Sequence, residues 1–136
     1  MVRIDDSGLA YFRQPEQFEG GQFVWAAFAR LGGTSEGPLR SLNAGYHVGD
    51  DNGRVPANRS LIARSLSFPL DHLVAAQQVH GSRVAVVDRN DWGRGALSWE
   101  DALPQTDAMV TATANTYLML VVADCADWAM ACGWNA

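Results

Sequence analysis

The sequence predicts an α+β domain, mixed β-sheets flanked by helices, and three features carry that expectation. One segment has helical periodicity, several short apolar runs of strand length are separated by turn residues, and a long glycine-bearing loop lies between the first apolar run and the helix. No repeat, low-complexity tract or linker divides the 136 residues, so 1–136 read as a single unit. A chain of that length can bury a hydrophobic core without disulfide staples.

Phe23 to Ala29 is aromatic and apolar, bounded by Gly20-Gly21 and Gly32-Gly33, and reads as a buried strand. From Leu31 to Gly53 the chain carries Gly33, Gly37, Gly45, Gly49 and Gly53 with Pro38 and several Ser, Thr and Asn, which predicts a long loop. Loops of that length inside compact domains usually serve a function. The helix is expected from Val55, where Pro56 suits a first turn and Leu61, Ile62 and Leu66 recur on one face until Phe68-Pro69. Leu73 to Val79 and Arg83 to Asp88 are strand-like, and His80-Gly81-Ser82 between them predicts a hairpin or a bent strand pair with His80 at a strand end. Asn90 to Gln105 reads as an irregular excursion, followed by strands at Asp107 to Thr111 and Thr116 to Ala123, the last ending at Asp124-Cys125.

Composition excludes several function classes. A formal net charge of −5, without clustered basic residues, argues against a nucleic-acid partner. Lysine is absent, so the ten basic residues are all arginine, a side chain that grips carboxylate or phosphate with two parallel hydrogen bonds. The longest apolar stretch, Tyr117 to Ala123, is far short of a bilayer span, and the first residues lack the basic end and apolar run of a secretory leader. No membrane association is expected. Cys125 and Cys132 fit neither a disulfide framework nor a Cys-x-x-Cys site, which suits a reducing, cytoplasmic setting.

The chemistry-bearing candidates are His80 and Cys125, both expected at strand ends, where a rigid scaffold presents side chains. Imidazole and thiolate are both zinc ligands, and a catalytic zinc keeps three protein ligands and one open position. A histidine before glycine also suits a turn, and a cysteine after an apolar strand also suits core filling. Asn43 fits an Asx turn, and Arg30 fits a surface pair with Asp50 or Asp51, as well as either fits a ligand contact. His47 reads as a loop-positioning residue and His72 as an exposed loop residue. Trp92, Trp99, Trp128 and Trp134 are scattered in the way packing or surface residues are.

Read together, the segments resemble the YfiH-like, or laccase-domain, family. The resemblance runs through Arg30-Leu-Gly-Gly-Thr-Ser35-Glu-Gly37-Pro38, Ser41-Leu42-Asn43-Ala-Gly45-Tyr-His47-Val48-Gly49-Asp50, Asn58-Arg59, Gln77-Gln78-Val79-His80-Gly81, Thr106-Asp107-Ala108-Met109-Val110-Thr111 and Asp124-Cys125. It covers residues 23–125, and this many ordered motifs exceed chance agreement. It implies a zinc enzyme of purine nucleosides: phosphorolysis of adenosine, inosine and methylthioadenosine, adenosine deamination, and an older polyphenol oxidase label with copper. It implies His80 and Cys125 as catalytic metal ligands, with purine nucleoside and phosphate as small-molecule partners. Beside such a metal, Arg30, Asn43 and Arg59 fit substrate binding as well as they fit structural roles, since an arginine there can grip phosphate with two hydrogen bonds, and a homo-oligomer is one form of assembly.

The tail, residues 126–136, departs from the family. A later His-x-Gly-Trp-Arg-Gly motif supplies the family's third metal ligand, whereas Ala131-Cys132-Gly133-Trp134-Asn135 here has no histidine. The expectation is therefore an incomplete domain, the N-terminal part of the family's unit, with weak zinc binding and little nucleoside turnover unless Cys132 or a neighbouring copy supplies a ligand. A non-catalytic fragment or degenerate paralogue, binding a partner through an uncovered sheet edge, is the alternative.

Overall fold

The structure is a computed structural model and describes residues 2–13 and 23–122. Its architecture is α+β, with one α-helix and seven short strands among the described residues. Strands β1 (Val2–Ile4), β2 (Ala10–Arg13) and β3 (Ala26–Phe28) form an antiparallel sheet, with Phe12 opposite both Val2 and Ala27. Tyr11 stacks on Phe28 across the β2–β3 pair, their ring centroids 4.8 Å apart. The sequence reading did not anticipate β1 or β2, and the run from Phe23 is strand only over Ala26–Phe28. Phe23, Val24 and Trp25 are exposed, because pairing with β2 begins only at Ala26. Apolar composition marked the strand correctly but overstated its length and burial.

Helix α1 spans Arg54–Ser65, with Pro56 in its first turn, where a missing N–H costs no hydrogen bond. Its inward stripe is Val55, Asn58, Arg59, Ile62 and Ala63, the spacing of one helical face. Leu61 and Leu66 are only partly buried beside it. The helix ends in a Schellman motif: Ser67 takes φ 58°, its N–H donates to Arg64 O at 3.1 Å, and the N–H of Phe68 donates to Ala63 O at 2.9 Å.

Strand β4 (Leu73–Ala75) pairs in parallel with β7 (Tyr117–Met119), and β5 (Val84–Val86) pairs in parallel with β6 (Ala108–Val110). The expected hairpin between Leu73–Val79 and Arg83–Asp88 is therefore corrected: the two segments belong to different sheets, and each pairs with a strand more than twenty residues away. β4 is buried on both faces, as parallel strands usually are. Leu73 packs into a core with Leu9, Leu42, Ile62, Ala63, Phe68 and Ala96, whereas Val74 faces a second core with Ala76, Val87 and Leu103. The excursion between β5 and β6 lies over this strand, with Gly93 N donating to Leu73 O, Ala75 N to Arg94 O and Leu103 N to Ala75 O. His72 is not the exposed loop residue expected of it. Its ring stacks on Trp92 with centroids 3.6 Å apart, and its Nδ1 meets the Asn115 carbonyl oxygen at 3.0 Å.

Candidate functional site

The glycine-bearing loop is organised by one buried amide. Asn58 is fully buried, and its Oδ1 accepts from the N–H of Thr34 at 2.7 Å and from its hydroxyl at 3.0 Å. Its Nδ2 donates to Ser35 Oγ at 2.9 Å, Asn43 O at 2.8 Å and Ser41 O at 3.3 Å. The loop thus wraps around a polar position on the inward stripe of α1. It approaches itself so closely at Gly33 that a β-carbon there would lie 2.2 Å from Ser41 O. The hydrogen bonds that Ser35 and Asn43 donate to Asp50 hold its carboxyl below the ordinary carboxylate range.

The structure gives the three residues expected to bind substrate internal partners. Arg30 is exposed, and its Nε donates to the Arg40 carbonyl at 2.8 Å rather than to Asp50 or Asp51. Asn43 closes an Asx turn, its Oδ1 accepting from Gly45 N at 3.0 Å while its Nδ2 reaches Asp50 at 3.0 Å. Arg59 is buried. Its guanidinium donates to Ala44 O from Nε and Nη2, at 2.9 and 2.7 Å, and to Gly95 O and Ala96 O from Nη1.

These bonds set the loop against the C-terminal end of the β4–β7 pair. A narrow cleft there is lined by Gly45, His47, Arg59, Gln78, Trp99 and Val121. His47 is exposed and faces Trp99, ring centroids 5.3 Å apart. Gln78 Oε1 accepts from Val121 N at 3.0 Å, tying the segments that follow β4 and β7 to each other. Beside the cleft lies an open cavity of about 320 Å³ lined by Tyr46, Asp50, Asp51, Ser98, Trp99 and Glu100. Its carboxylates repel anions, and its two aromatic rings offer flat apolar surface to a heterocycle.

His80 lies just past this end of β4. It is exposed, and its backbone has φ 59°. Cys125, with Cys132, Trp128 and Trp134, lies outside the described residues, so the distance between His80 and Cys125 is not among the described geometry. Among the described residues no group of three or more His, Cys, Asp and Glu side chains is arranged to hold a metal.

The family profile described as multi-copper polyphenol oxidoreductase laccase matches residues 24–131. The chain belongs to that family. A protein called purine nucleoside phosphorylase YlmD, from Geobacillus stearothermophilus, is 45% identical over 94 residues, which are 69% of this chain and 34% of that protein. The Bacillus subtilis protein of the same name is 42% identical over 94 residues, with the same coverage of 69% and 34%. The crystal structure of the Bacillus licheniformis hypothetical protein YfiH superposes with a TM-score of 0.76 at 32% identity, covering 86% of this chain and 42% of that one. That of YlmD from Geobacillus stearothermophilus gives 0.65 at 34% identity, covering 82% and 35%. The chain thus spans about a third of the length of the curated relatives it matches. The α+β expectation and the family resemblance both stand.

Two residues that shape the site drew no role from sequence reasoning. Asn58 carries no chemistry of its own in the motif, although a polar residue on the inward stripe of a helix signals a buried hydrogen-bonding hub. Asp107 is the other, and it accepts hydrogen bonds from three backbone N–H groups of residues 79–81.

Proposed function

We propose that this laccase-family chain carries the first two ligands of a zinc centre acting on purine nucleosides, His80 through imidazole and Cys125 through thiolate. The observation that carries the reading is the parallel β4–β7 register, in which Ala75 lies opposite Met119. His80 follows Ala75 by five residues and Cys125 follows Met119 by six, so both segments start from one end of one strand pair. The donor set suits the metal: an exposed imidazole is a borderline donor and a thiolate a soft one, a combination that zinc, itself borderline-soft, takes readily and that copper also accepts. The relatives called purine nucleoside phosphorylase support the substrate class.

When bound, the metal supplies Lewis-acid activation at the point where a nucleoside is attacked. The chain's own residues do the rest. Asn43 and Arg59 act by holding the loop that carries His47, and Arg30 presents an exposed cation at the loop's base to phosphate. The aromatic cavity beside His47 suits the base, and its carboxylates favour an uncharged nucleoside over a nucleotide. Phosphorolysis and adenosine deamination are both open to such a site.

Zinc affinity, measured by competition with a chromophoric chelator, tests the ligands directly. His80→Ala and Cys125→Ala are each expected to weaken binding by at least about tenfold, the scale on which even residues supporting a ligand act. Affinity unchanged in both would remove the proposed centre. Inosine formation from adenosine, and base release from inosine with phosphate, then separate the two chemistries.

A second reading, a binding or oligomerisation module, draws on the β5–β6 pair. Val84, Val86 and Val110 are 56%, 81% and 50% exposed on a sheet that has two parallel strands among the described residues. Parallel strands seldom stand uncovered, and exposed edges recruit further strands. The expected occupant is a second copy, paired through this face. Sedimentation should then show a concentration-dependent dimer that Val86→Glu abolishes, whereas a monomer at every concentration would leave this reading without support.

A further inference from the structure

His80 sits in a left-handed backbone conformation that L-residues rarely adopt, at φ 59°. A histidine held there needs a compensating interaction. The compensation is a single carboxylate. Asp107 Oδ1 accepts the N–H of Val79 at 2.9 Å and the N–H of His80 at 2.8 Å, and Oδ2 accepts the N–H of Gly81 at 3.0 Å. Three successive backbone N–H groups converging on an anion form a nest, a concavity that backbone geometry alone makes attractive to negative charge.

Asp107 reaches the nest from the strand on the other side of the turn. It immediately precedes β6, and its own N–H and that of Ala108 donate to Arg83 O at 3.1 and 3.2 Å. One residue earlier, Thr106 N donates to Gln77 O at 3.0 Å. The segment from Gln77 to Arg83 is thus tied at both ends to the lead-in of β6, with the carboxylate filling the turn between them. The fit extends to the next residue, because a β-carbon at Gly81 would lie 3.3 Å from Asp107 Oδ2. A larger residue there would press on the carboxylate. No hydrogen bond is made by the His80 ring to any described residue, so the clamp acts on the backbone and leaves the imidazole available.

We propose that Asp107 is the positioning residue of the His80 turn: it fixes the left-handed backbone so that the imidazole is presented outward as a ligand without first having to be ordered. The inference rests on the reading of His80 as a metal ligand and adds a reason for its geometry. A preset ligand binds more tightly than one that must be ordered on binding.

The test compares Asp107→Ala, Asp107→Asn and His80→Ala in the full chain, by amide hydrogen exchange, zinc competition and thermal unfolding. In Asp107→Ala, exchange at residues 79–81 is expected to rise at least about tenfold while helix α1 stays protected, and zinc affinity to fall about ten- to a hundredfold. Asp107→Asn keeps one carbonyl oxygen for Val79 and His80 but turns an amide donor toward Gly81, so it should fall between the two. A lower unfolding temperature with zinc affinity unchanged in the folded protein would make Asp107 merely structural and overturn the proposal. Unaltered exchange at 79–81 would overturn it equally. The two readings fail separately: affinity untouched by His80→Ala refutes the metal ligand and with it the task given to Asp107, whereas affinity lost in His80→Ala and kept in Asp107→Ala refutes the positioning role alone.

Discussion

Asn58→Ala is expected to lower the unfolding free energy by about 3 kcal/mol or more, from a side chain that touches no ligand in any reading of the site. The alanine removes five hydrogen bonds at once and leaves the Thr34 N–H and the Asn43 carbonyl without the partner they had, while the Ser41 carbonyl keeps only the N–H of Ser35. An unsatisfied buried group costs about 1–3 kcal/mol, and the loop's escape to solvent limits the total. The amide's orientation is fixed by its backbone partners, since Thr34 N can only donate and the two carbonyls can only accept. Asn58→Asp should therefore be at least as damaging: it keeps the acceptor for Thr34 but turns a second oxygen toward oxygen acceptors. Equilibrium denaturation checks both variants, and a loss below about 1 kcal/mol for the alanine would mean that the loop is held by something other than this amide.

The sequence made local features legible and left non-local ones hidden, for physical reasons that particular elements display. Helix α1 was readable because Pro56 and the spacing of Ile62 and Leu66 report on neighbouring residues within the same helix. Its inward stripe was misread toward Leu61 because apolar periodicity cannot see Asn58 and Arg59, two polar groups that are buried only because the distant loop supplies their partners. The short link at His80-Gly81-Ser82 imitated a hairpin. What bends the chain there is Asp107, more than twenty residues away, and nothing in the link itself announces a carboxylate arriving from another strand. Strand partners were hidden for the same reason, since strands of three residues are too short for their own pattern to select a mate.

The candidate site divides along the same line. His80 and the glycine loop could be named as candidates from the sequence, because imidazole is one of the few metal-competent side chains and a stretch that rich in glycine reads as a loop whatever it packs against. Which polar residues of the loop face outward could not, because the outcome depends on whether an internal carbonyl competes for the same donor. Asn43 and Arg59 found such acceptors, in Gly45 and in Ala44, Gly95 and Ala96.

Arg59→Met is expected to lower stability by about 2–4 kcal/mol, because it leaves the Ala44 and Gly95 carbonyls without their donor, at about 1–3 kcal/mol for each buried group. Arg59 lies 3% exposed, and burial lowers its pKa from the ordinary guanidinium value, with the Tyr46 ring 4.6 Å from its charge centre. No carboxylate pairs with it among the described residues, so the charge is balanced by carbonyl dipoles from two separate segments, Ala44 on the glycine loop and Gly95 and Ala96 on the excursion before β6. The fork geometry matters here, because Nε and Nη2 serve one segment while Nη1 serves the other. Arg59→Lys should therefore rescue only part of the loss: an ammonium keeps the charge but cannot span both sets of carbonyls. Denaturant unfolding of the two variants decides the matter. An arginine reserved for substrate would leave the unfolding free energy within about 0.5 kcal/mol of the parent in both, as surface substitutions do, and that result would return Arg59 to the binding surface.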